Sequence, residues 1–374
     1  MTNARDLLAD LDWRALAQPI ARAEDALARL DERLAKSPIR EGWIARTHFL
    51  DAAAALWLEG ELVQIEDLVL HDAGMDVRTP THELTRAHAI LRTRRRIASA
   101  EPGWALSDAG LAALRGRAGE GVGEDVSEAA DAATYDEEED SALLAGGDEE
   151  EYADLYASVD AAIAFADKTL AGETPTPEPL PAERDPLVYD LDWDEDARLA
   201  EWSAIVAETR ELPPTLAAAL AAEAWNAIEP LQHALGLGRL LAAALLRARG
   251  KTDVHLACLA KGARAAPRER RRAHDAATRL IAQLDGMTAT AKLGLELHDR
   301  WLLARLVLLR KLDSRRSTSR LPDLIDYVQR RPIVSAGMIA RELGVTPRAA
   351  QNLVAELGLR EATGRGRYRA WGIL

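Results

Sequence analysis

Apolar residues recur at helical spacing along most of the chain, and no alternation typical of a β-strand appears before residue 360. Residues 4–34, 43–72, 81–100 and 152–170 form the first four helical tracts, and Thr81 is the expected N-cap of the third. Past Tyr189 the pattern continues, with breaks expected at Pro213 and Pro214, Gly250, Pro267 and Gly286. The sequence therefore predicts a mainly α fold.

The single cysteine, Cys258, excludes an intramolecular disulfide and a thiolate zinc site. The first residues carry charge before any apolar segment, and the longest purely apolar runs, such as Leu240–Leu246, are too short to span a membrane. GxxxxGKS/T, HExxH, GxSxG and GxGxxG motifs are all missing from the sequence. We expect a cytoplasmic protein with no membrane contact, no metal and no cofactor.

Charge is distributed unevenly, although the chain as a whole carries −14. Residues 120–160 contain 16 Asp and Glu and no Lys or Arg, whereas residues 239–374 contain 27 Lys and Arg against 12 Asp and Glu. A basic third of this kind favours a polyanionic partner, and the acidic run is typical of a solvated tether. Arg268, Arg270, Arg271 and Arg272 form a basic cluster, either an auxiliary phosphate-binding patch or an ordinary solvated surface.

Composition and breaks divide the chain into five segments. We predict an N-terminal helical region at 1–119, an acidic disordered insert at 120–150, a helix and Pro-rich linker at 151–186, a helical core at 187–320 and a C-terminal module at 321–374. Tryptophans on apolar helical faces, including Trp57, Trp225 and Trp301, are expected in the core.

The C-terminal module has the strongest local pattern. Ser335 can cap a helix at 336–343, and Gly344 allows a tight turn. Thr346 can then cap a second helix that has Pro347 at its first position. Residues 321–330 supply a supporting helix, and 359–374 fit a β-hairpin around Gly364 and Gly366.

These residues resemble a winged helix-turn-helix domain, which implies double-stranded DNA as the partner. The residues expected to contact DNA are Thr346, Arg348, Gln351 and Asn352 on the second helix and Arg365, Arg367 and Arg369 on the wing. Arg pairs well with guanine and Gln or Asn with adenine, while wing arginines suit phosphates. The alternative is a winged helix used only for packing. Because helix-turn-helix proteins commonly read two half-sites, a homodimer is compatible with this interpretation, although no heptad zipper is present.

A second resemblance, to Fic-domain proteins, rests on the loop from Glu229 to Arg239 and on an upstream Glu59-Gly60 pair. The loop resembles HPFxDGNGRxGR, and Leu56 to Gly60 resembles the family's inhibitory helix. Glu229 replaces the catalytic histidine and His233 the metal-binding acid, whereas Pro230, Gly238 and Arg239 persist. The resemblance implies a degenerate, inactive Fic-like core in which Glu59 and Arg239 form an ion pair.

The function predicted from these features is a DNA-binding protein, a transcriptional or replicon-associated regulator, that is not an enzyme. Two alternatives remain open: a divergent Fic-type nucleotidyl or phosphoryl transferase, and a non-catalytic protein-interaction scaffold. Glu229 and His233 have helical spacing for acid/base or metal chemistry, but Pro230 is expected to end the helix between them and no third ligand is evident.

Overall fold

The computed structural model describes residues 11–75, 79–118, 190, 193–232, 236–312, 320–362 and 369–373. It is mainly helical, with one small sheet near the C-terminus, as predicted. The predicted acidic insert, the whole of the predicted helix-and-linker segment, His233, Arg365 and Arg367 lie outside the described residues.

Eleven α-helices precede the C-terminal module within the described residues. They are α1 (Trp13–Ala35), α2 (Arg40–Glu59), α3 (Ile65–Asp72), α4 (His82–Ser99), α5 (Asp108–Ala118), α6 (Glu195–Glu208), α7 (Pro214–Ile228), α8 (Leu237–Ala248), α9 (Leu259–Ala263), α10 (Arg268–Arg271) and α11 (Ala276–Arg310), with a 3₁₀ turn at Trp104–Leu106. Thr81 caps α4 as predicted, because its Oγ1 accepts a hydrogen bond of 3.3 Å from the amide of Leu84.

The predicted helical tract 43–72 is two helices rather than one. Gly60 ends α2 with a left-handed backbone at φ 97°, a conformation that glycine adopts without steric cost. The chain then turns before α3 begins at Ile65. Glu59 therefore lies at the very end of a helix, and its side chain is only 17% exposed.

Helix α11 runs through Gly286, so the break predicted there is wrong. This helix of 35 residues is roughly 52 Å long and packs along α1 and α9. A Cβ on Gly262 of α9 would lie 2.2 Å from the carbonyl oxygen of Gly286, which shows how closely the two backbones approach. The close packing therefore requires the glycine at 262, whereas a Cβ on Gly286 would meet α9 only at 3.5 Å, and the helical hydrogen bonds of α11 continue past Gly286.

The C-terminal module contains α12 (Leu321–Arg330), β1 (Val334–Ser335), α13 (Ala336–Leu343), α14 (Pro347–Leu357), β2 (Arg360–Glu361) and β3 (Ala370–Gly372). Its three strands have the order β1-β3-β2, and both pairings are antiparallel. Strand β1 corrects the expectation of no strand before residue 360. Two residues are too few to show alternation, and β1 exists only because it pairs with β3.

The tryptophans divide between core and surface. Trp225 and Trp301 are buried as predicted, whereas Trp57 is 37% exposed, so its assignment to the core is wrong. The guanidinium of Arg264 lies 4.4 Å from the centre of the Trp57 ring. A cation over the ring face lets this indole remain at the surface of the protein.

Candidate nucleic-acid interface

Two capped helices and a glycine turn form the helix-turn-helix. The Ser335 hydroxyl accepts a hydrogen bond of 3.2 Å from the amide of Met338, and the Thr346 hydroxyl accepts one of 3.2 Å from that of Ala349. Gly344, at φ 62°, makes the turn between them. Because both predicted caps form, the start of each helix is set by its own sequence.

The inner face of α14 is buried and its outer face is open. Ala350, Val354 and Leu357 are buried against the module's core. The side chains of Arg348, Gln351 and Asn352 are exposed on the opposite face, together with the Thr346 cap. These are the predicted base-reading residues, and the structure presents them together on one helical surface that could enter a major groove.

The base of the wing holds Arg369 in an ion pair. Its Nη2 and Nε lie 2.6 and 2.9 Å from a carboxylate oxygen of Glu361 across the β2–β3 pair, and its guanidinium lies 5.6 Å from the Trp371 ring centre. The hydrogen bonds that Arg369 donates to Glu361 raise the pKa of Arg369. Arg369 remains exposed, yet part of its charge is already neutralised before any phosphate binds.

Arg46 of α2 attaches the C-terminal module to the helical core. Its guanidinium donates to the carbonyl oxygens of Val328, Arg331 and Ile373 at 3.0, 2.7 and 2.8 Å, and it lies 4.5 Å from the centre of the Trp301 ring. Burial lowers the pKa of Arg46 to about 10, so the group is still charged at neutral pH. The module is therefore fixed to the core by a buried cation.

Asp72 makes a second link at the same junction. Its carboxylate accepts hydrogen bonds from Arg95 of α4 at 3.0 Å and from Arg331 of the C-terminal module at 2.8 Å, and His88 lies 3.4 Å away. Burial alone would raise the pKa of Asp72. The hydrogen bonds from His88 and Arg95 and the positive charge of Arg331 outweigh burial, and the pKa lies well below its ordinary range. Neither Arg46 nor Asp72 was predicted from sequence, where the only signal is a charged residue within an otherwise apolar tract.

The loop between α7 and α8 begins as the sequence predicts. Helix α7 ends at Ile228, and Glu229 has a left-handed backbone at φ 49° just before Pro230. Gly238 lies in the first turn of α8, where an added Cβ would be 2.5 Å from the Trp225 ring. Gly238 is thus explained by the close packing of α8 on α7.

Glu59 reaches this loop from α2. A Cβ on Gly236, directly before α8, would lie 3.1 Å from the Glu59 carboxylate, which also forms an ion pair with Arg86. Burial lowers the pKa of Arg239 in α8, the Glu59 carboxylate raises it, and Arg271 lowers it. Glu59 therefore acts on Arg239 through its charge, and it also forms an ion pair with Arg86 at 2.5 Å.

Within the described ranges, no helix is long and apolar enough to cross a membrane. The same part of the chain contains no group of three or more His, Cys, Asp and Glu side chains that could hold a metal ion.

The fold and the exposed face of α14 define a protein with a C-terminal helix-turn-helix DNA-binding domain. Residues 321–374 match a family model described as an HTH DNA binding domain, and residues 187–313 match one described as a protein of unknown function (DUF1612). The chain is 48% identical over 385 residues to the uncharacterized protein y4cF of Sinorhizobium fredii (strain NBRC 101917 / NGR234), an alignment that covers 98% of this chain and 99% of that protein. The chain belongs to the family of y4cF. A Fic domain is not shown by these matches.

Proposed function

We propose that this protein is a sequence-specific DNA-binding regulator in which α14 reads base edges in the major groove. The observation that carries the proposal is the exposed set of Arg348, Gln351 and Asn352 on a helix whose opposite face is buried. Side chains of these types hydrogen-bond two atoms of one base at once, which gives sequence preference. The wing, with Arg365, Arg367 and Arg369, would contact phosphates.

The helical core would act as a rigid support for this domain and would carry no Fic-type catalysis. Glu59 beside the loop before α8 and Arg239 in its first turn agree with a Fic-like arrangement. However, Glu229 occupies the position of the catalytic histidine, and it offers no imidazole to accept a proton from a hydroxyl substrate. Gly238, which persists, serves the packing of α8 on α7.

A selection of bound fragments from random DNA at about 150 mM salt tests the proposal, because this salt suppresses weak phosphate-only binding. The wild-type chain should enrich one motif. Gln351→Ala and Asn352→Ala should each lose about 1–3 kcal/mol of discrimination at one base position.

Two exposed arginines form a matched pair of test and control. Arg348→Ala should alter the preferred motif, whereas Arg320→Ala removes the same charge outside α14 and should leave the motif unchanged. Enrichment of no motif by the wild-type chain would reject sequence-specific binding.

A second candidate function, a nucleotide-dependent transferase, is favoured by one observation. The charges of Arg271 and Arg272 act on Arg239 at the start of α8, so cationic groups from two elements lie near one helix N-terminus. A rise in melting temperature with ATP and Mg²⁺ that Arg239→Ala abolishes would support this function over the inactive core.

A further inference from the structure

A serine, a histidine and an aspartate form a hydrogen-bonded chain where α11 meets the turn between α1 and α2. The hydroxyl oxygen of Ser37 lies 2.9 Å from Nε2 of His298, and Nδ1 of His298 lies 3.0 Å from a carboxylate oxygen of Asp299. An ionised carboxylate can only accept, so the neutral ring carries its proton on Nδ1, and Nε2 accepts a hydrogen bond from Ser37. This order of hydroxyl, base and orienting acid is the one that activates a serine as a nucleophile.

Further contacts hold the members of this chain in place. The His298 side chain is buried, at 2% exposed, whereas that of Asp299 is at the surface. The Asp299 carboxylate also accepts a hydrogen bond of 2.8 Å from Arg33, and the Ser37 hydroxyl accepts one of 3.2 Å from the amide of Ile39. The hydroxyl and the carboxylate therefore each have a second partner that fixes their direction.

Ser37 borders a cleft of about 250 Å³. The first turn of α2, Arg305 of α11 and the C-terminal half of α12 form its other walls, and the nearly buried Gln329 lies among them. Pockets for drug-sized molecules have volumes of about 300–1,000 Å³. The cleft therefore has room for a small substrate beside the Ser37 hydroxyl.

Three guanidinium groups and two carboxylates line this cleft. Arg305 pairs with Asp326 at 2.5 Å, and Arg330 pairs with Glu41 at 3.4 Å. The side chain of Arg40, the first residue of α2, is exposed and forms no ion pair with any residue that the structure describes. The lining thus carries one net positive charge, which favours a substrate with an anionic group.

We propose that Ser37 is the nucleophile of an esterase activity, with His298 as its general base and an ester of a small anionic acid as substrate. This activity goes beyond the proposed DNA binding and is independent of it, because neither Ser37 nor His298 lies in the C-terminal module.

The reaction would proceed in two steps. The Ser37 oxygen attacks the carbonyl carbon of the ester while its proton passes to Nε2 of His298, and the bond to the alcohol oxygen breaks as Nε2 gives the proton to that oxygen. A water molecule then attacks the acyl-serine, gives its proton to Nε2, and releases the acid as Ser37 regains a proton. The amides in the first turn of α2, which have no partner within the helix, line the same cleft and would stabilise the oxyanion.

Labelling of the full chain with a fluorophosphonate, followed by peptide mass spectrometry, tests the nucleophile, because this probe reacts with serines that a base activates. The wild-type protein should be labelled at Ser37. Ser37→Ala should abolish this label, and His298→Gln should slow it by about 100-fold or more, since glutamine can hydrogen-bond Ser37 but cannot take its proton. Ser99→Ala is the matched control: the exposed Ser99 hydroxyl donates to the carbonyl of Arg96, and its loss should leave labelling unchanged.

Asp299 is a positioning residue, because it acts on Ser37 only through His298. Asp299→Asn should slow labelling by roughly tenfold or more, and Asp299→Glu should restore much of the rate. A role confined to the packing of α11 would not depend on a carboxylate at this position.

Nitrophenyl esters test the substrate class. The wild-type chain should hydrolyse the mono-nitrophenyl ester of succinic acid several-fold faster than neutral nitrophenyl butyrate, and Arg40→Gln should remove this preference. Equal or faster hydrolysis of the neutral ester would overturn the anionic substrate.

A folded wild-type chain that takes no label at Ser37 would overturn the nucleophile, and so would equal labelling of the wild type and His298→Gln. Because the labelled residue is identified in the wild-type protein, the first of these results does not depend on whether a variant folds.

Discussion

Arg46 is a cation whose hydrogen bonds replace water for three backbone carbonyls of another part of the chain. Arg46 is 5% exposed. Its partners are Val328 in α12, Arg331 directly after that helix, and Ile373 after β3. A buried guanidinium is costly unless its donors are satisfied, and buried carbonyls without partners are costly too. The Arg46 guanidinium therefore needs the three carbonyls, and the carbonyls need the guanidinium. This mutual requirement favours one position of the C-terminal module on the core.

Arg46→Met should destabilise the protein by about 3 kcal/mol, because several buried carbonyls lose a charged donor at once. The free energy of unfolding from urea titrations measures the effect. Arg40→Met is the matched control, since Arg40 lies on the same helix but is exposed, and it should change stability by less than about 0.5 kcal/mol. Equal effects of the two substitutions would contradict this account of Arg46.

At the scale of the element, helices α7 and α8 illustrate how one glycine determines packing. Trp225 of α7 is fully buried, and Gly238 of α8 rests on its ring. The Trp225 ring lies so close to Gly238 that no side chain fits there, although alanine favours the helical backbone more than glycine does. Packing therefore outweighs helix propensity at this position.

Gly238→Ala should destabilise the protein by about 1–3 kcal/mol, since a rigid indole would have to shift. Gly236→Ala is the comparison, because there the new Cβ meets only the flexible end of Glu59, at 3.1 Å. Thermal unfolding followed by circular dichroism distinguishes the two variants. A Gly238→Ala protein as stable as the wild type would show that Trp225 does not limit the approach of α8.

The elements that could be predicted from the sequence are those fixed by residues a few positions apart. Ser335, Thr346 and Thr81 were predicted as caps, and each accepts the expected backbone hydrogen bond. Prediction failed at β1, whose determinant is a distant strand, and at Gly286, where a helix of 35 residues continues through a glycine. The outward orientation of Gln351 and Asn352 followed from helical period alone, whereas the engagement of Arg369 by Glu361 depends on the register of the β2–β3 pair.

At the scale of the whole molecule, the helix-turn-helix is fixed to the core rather than tethered to it. One hydrophobic cluster includes residues of both, and Asp72 joins α3, α4 and the C-terminal module through charged hydrogen bonds. A change of conformation in the core would therefore act directly on the orientation of α14. The net positive charge of residues 239–374 gives the same part of the chain a long-range attraction for DNA.

The contribution of Asp72 to stability should depend on pH in a defined direction. Because its folded-state pKa lies below the usual value of 3.8, its charge stabilises the protein fully above that pH and progressively less as pH falls below it. Asp72→Asn should cost about 2 kcal/mol at pH 7. The difference from the wild type should shrink below about pH 4.

Urea titrations at several pH values measure this difference. Asp25→Asn is the control: Asp25 forms an exposed ion pair with Arg29, which should contribute little at any pH. A wild-type advantage over Asp72→Asn that stays constant down to pH 3 would contradict the assignment.

The sequence by itself determined the helical class, the caps and turn of the helix-turn-helix and the residues on its outer face, because these depend on neighbours within a few positions. Only the tertiary structure decided which charges became internal. Arg46 and Asp72 look like ordinary charged residues in the sequence, and the partners through which they hold the C-terminal module, such as Val328 and Arg331, lie more than 250 positions away. Burial and pairing are properties of the packed chain, so no local pattern records them.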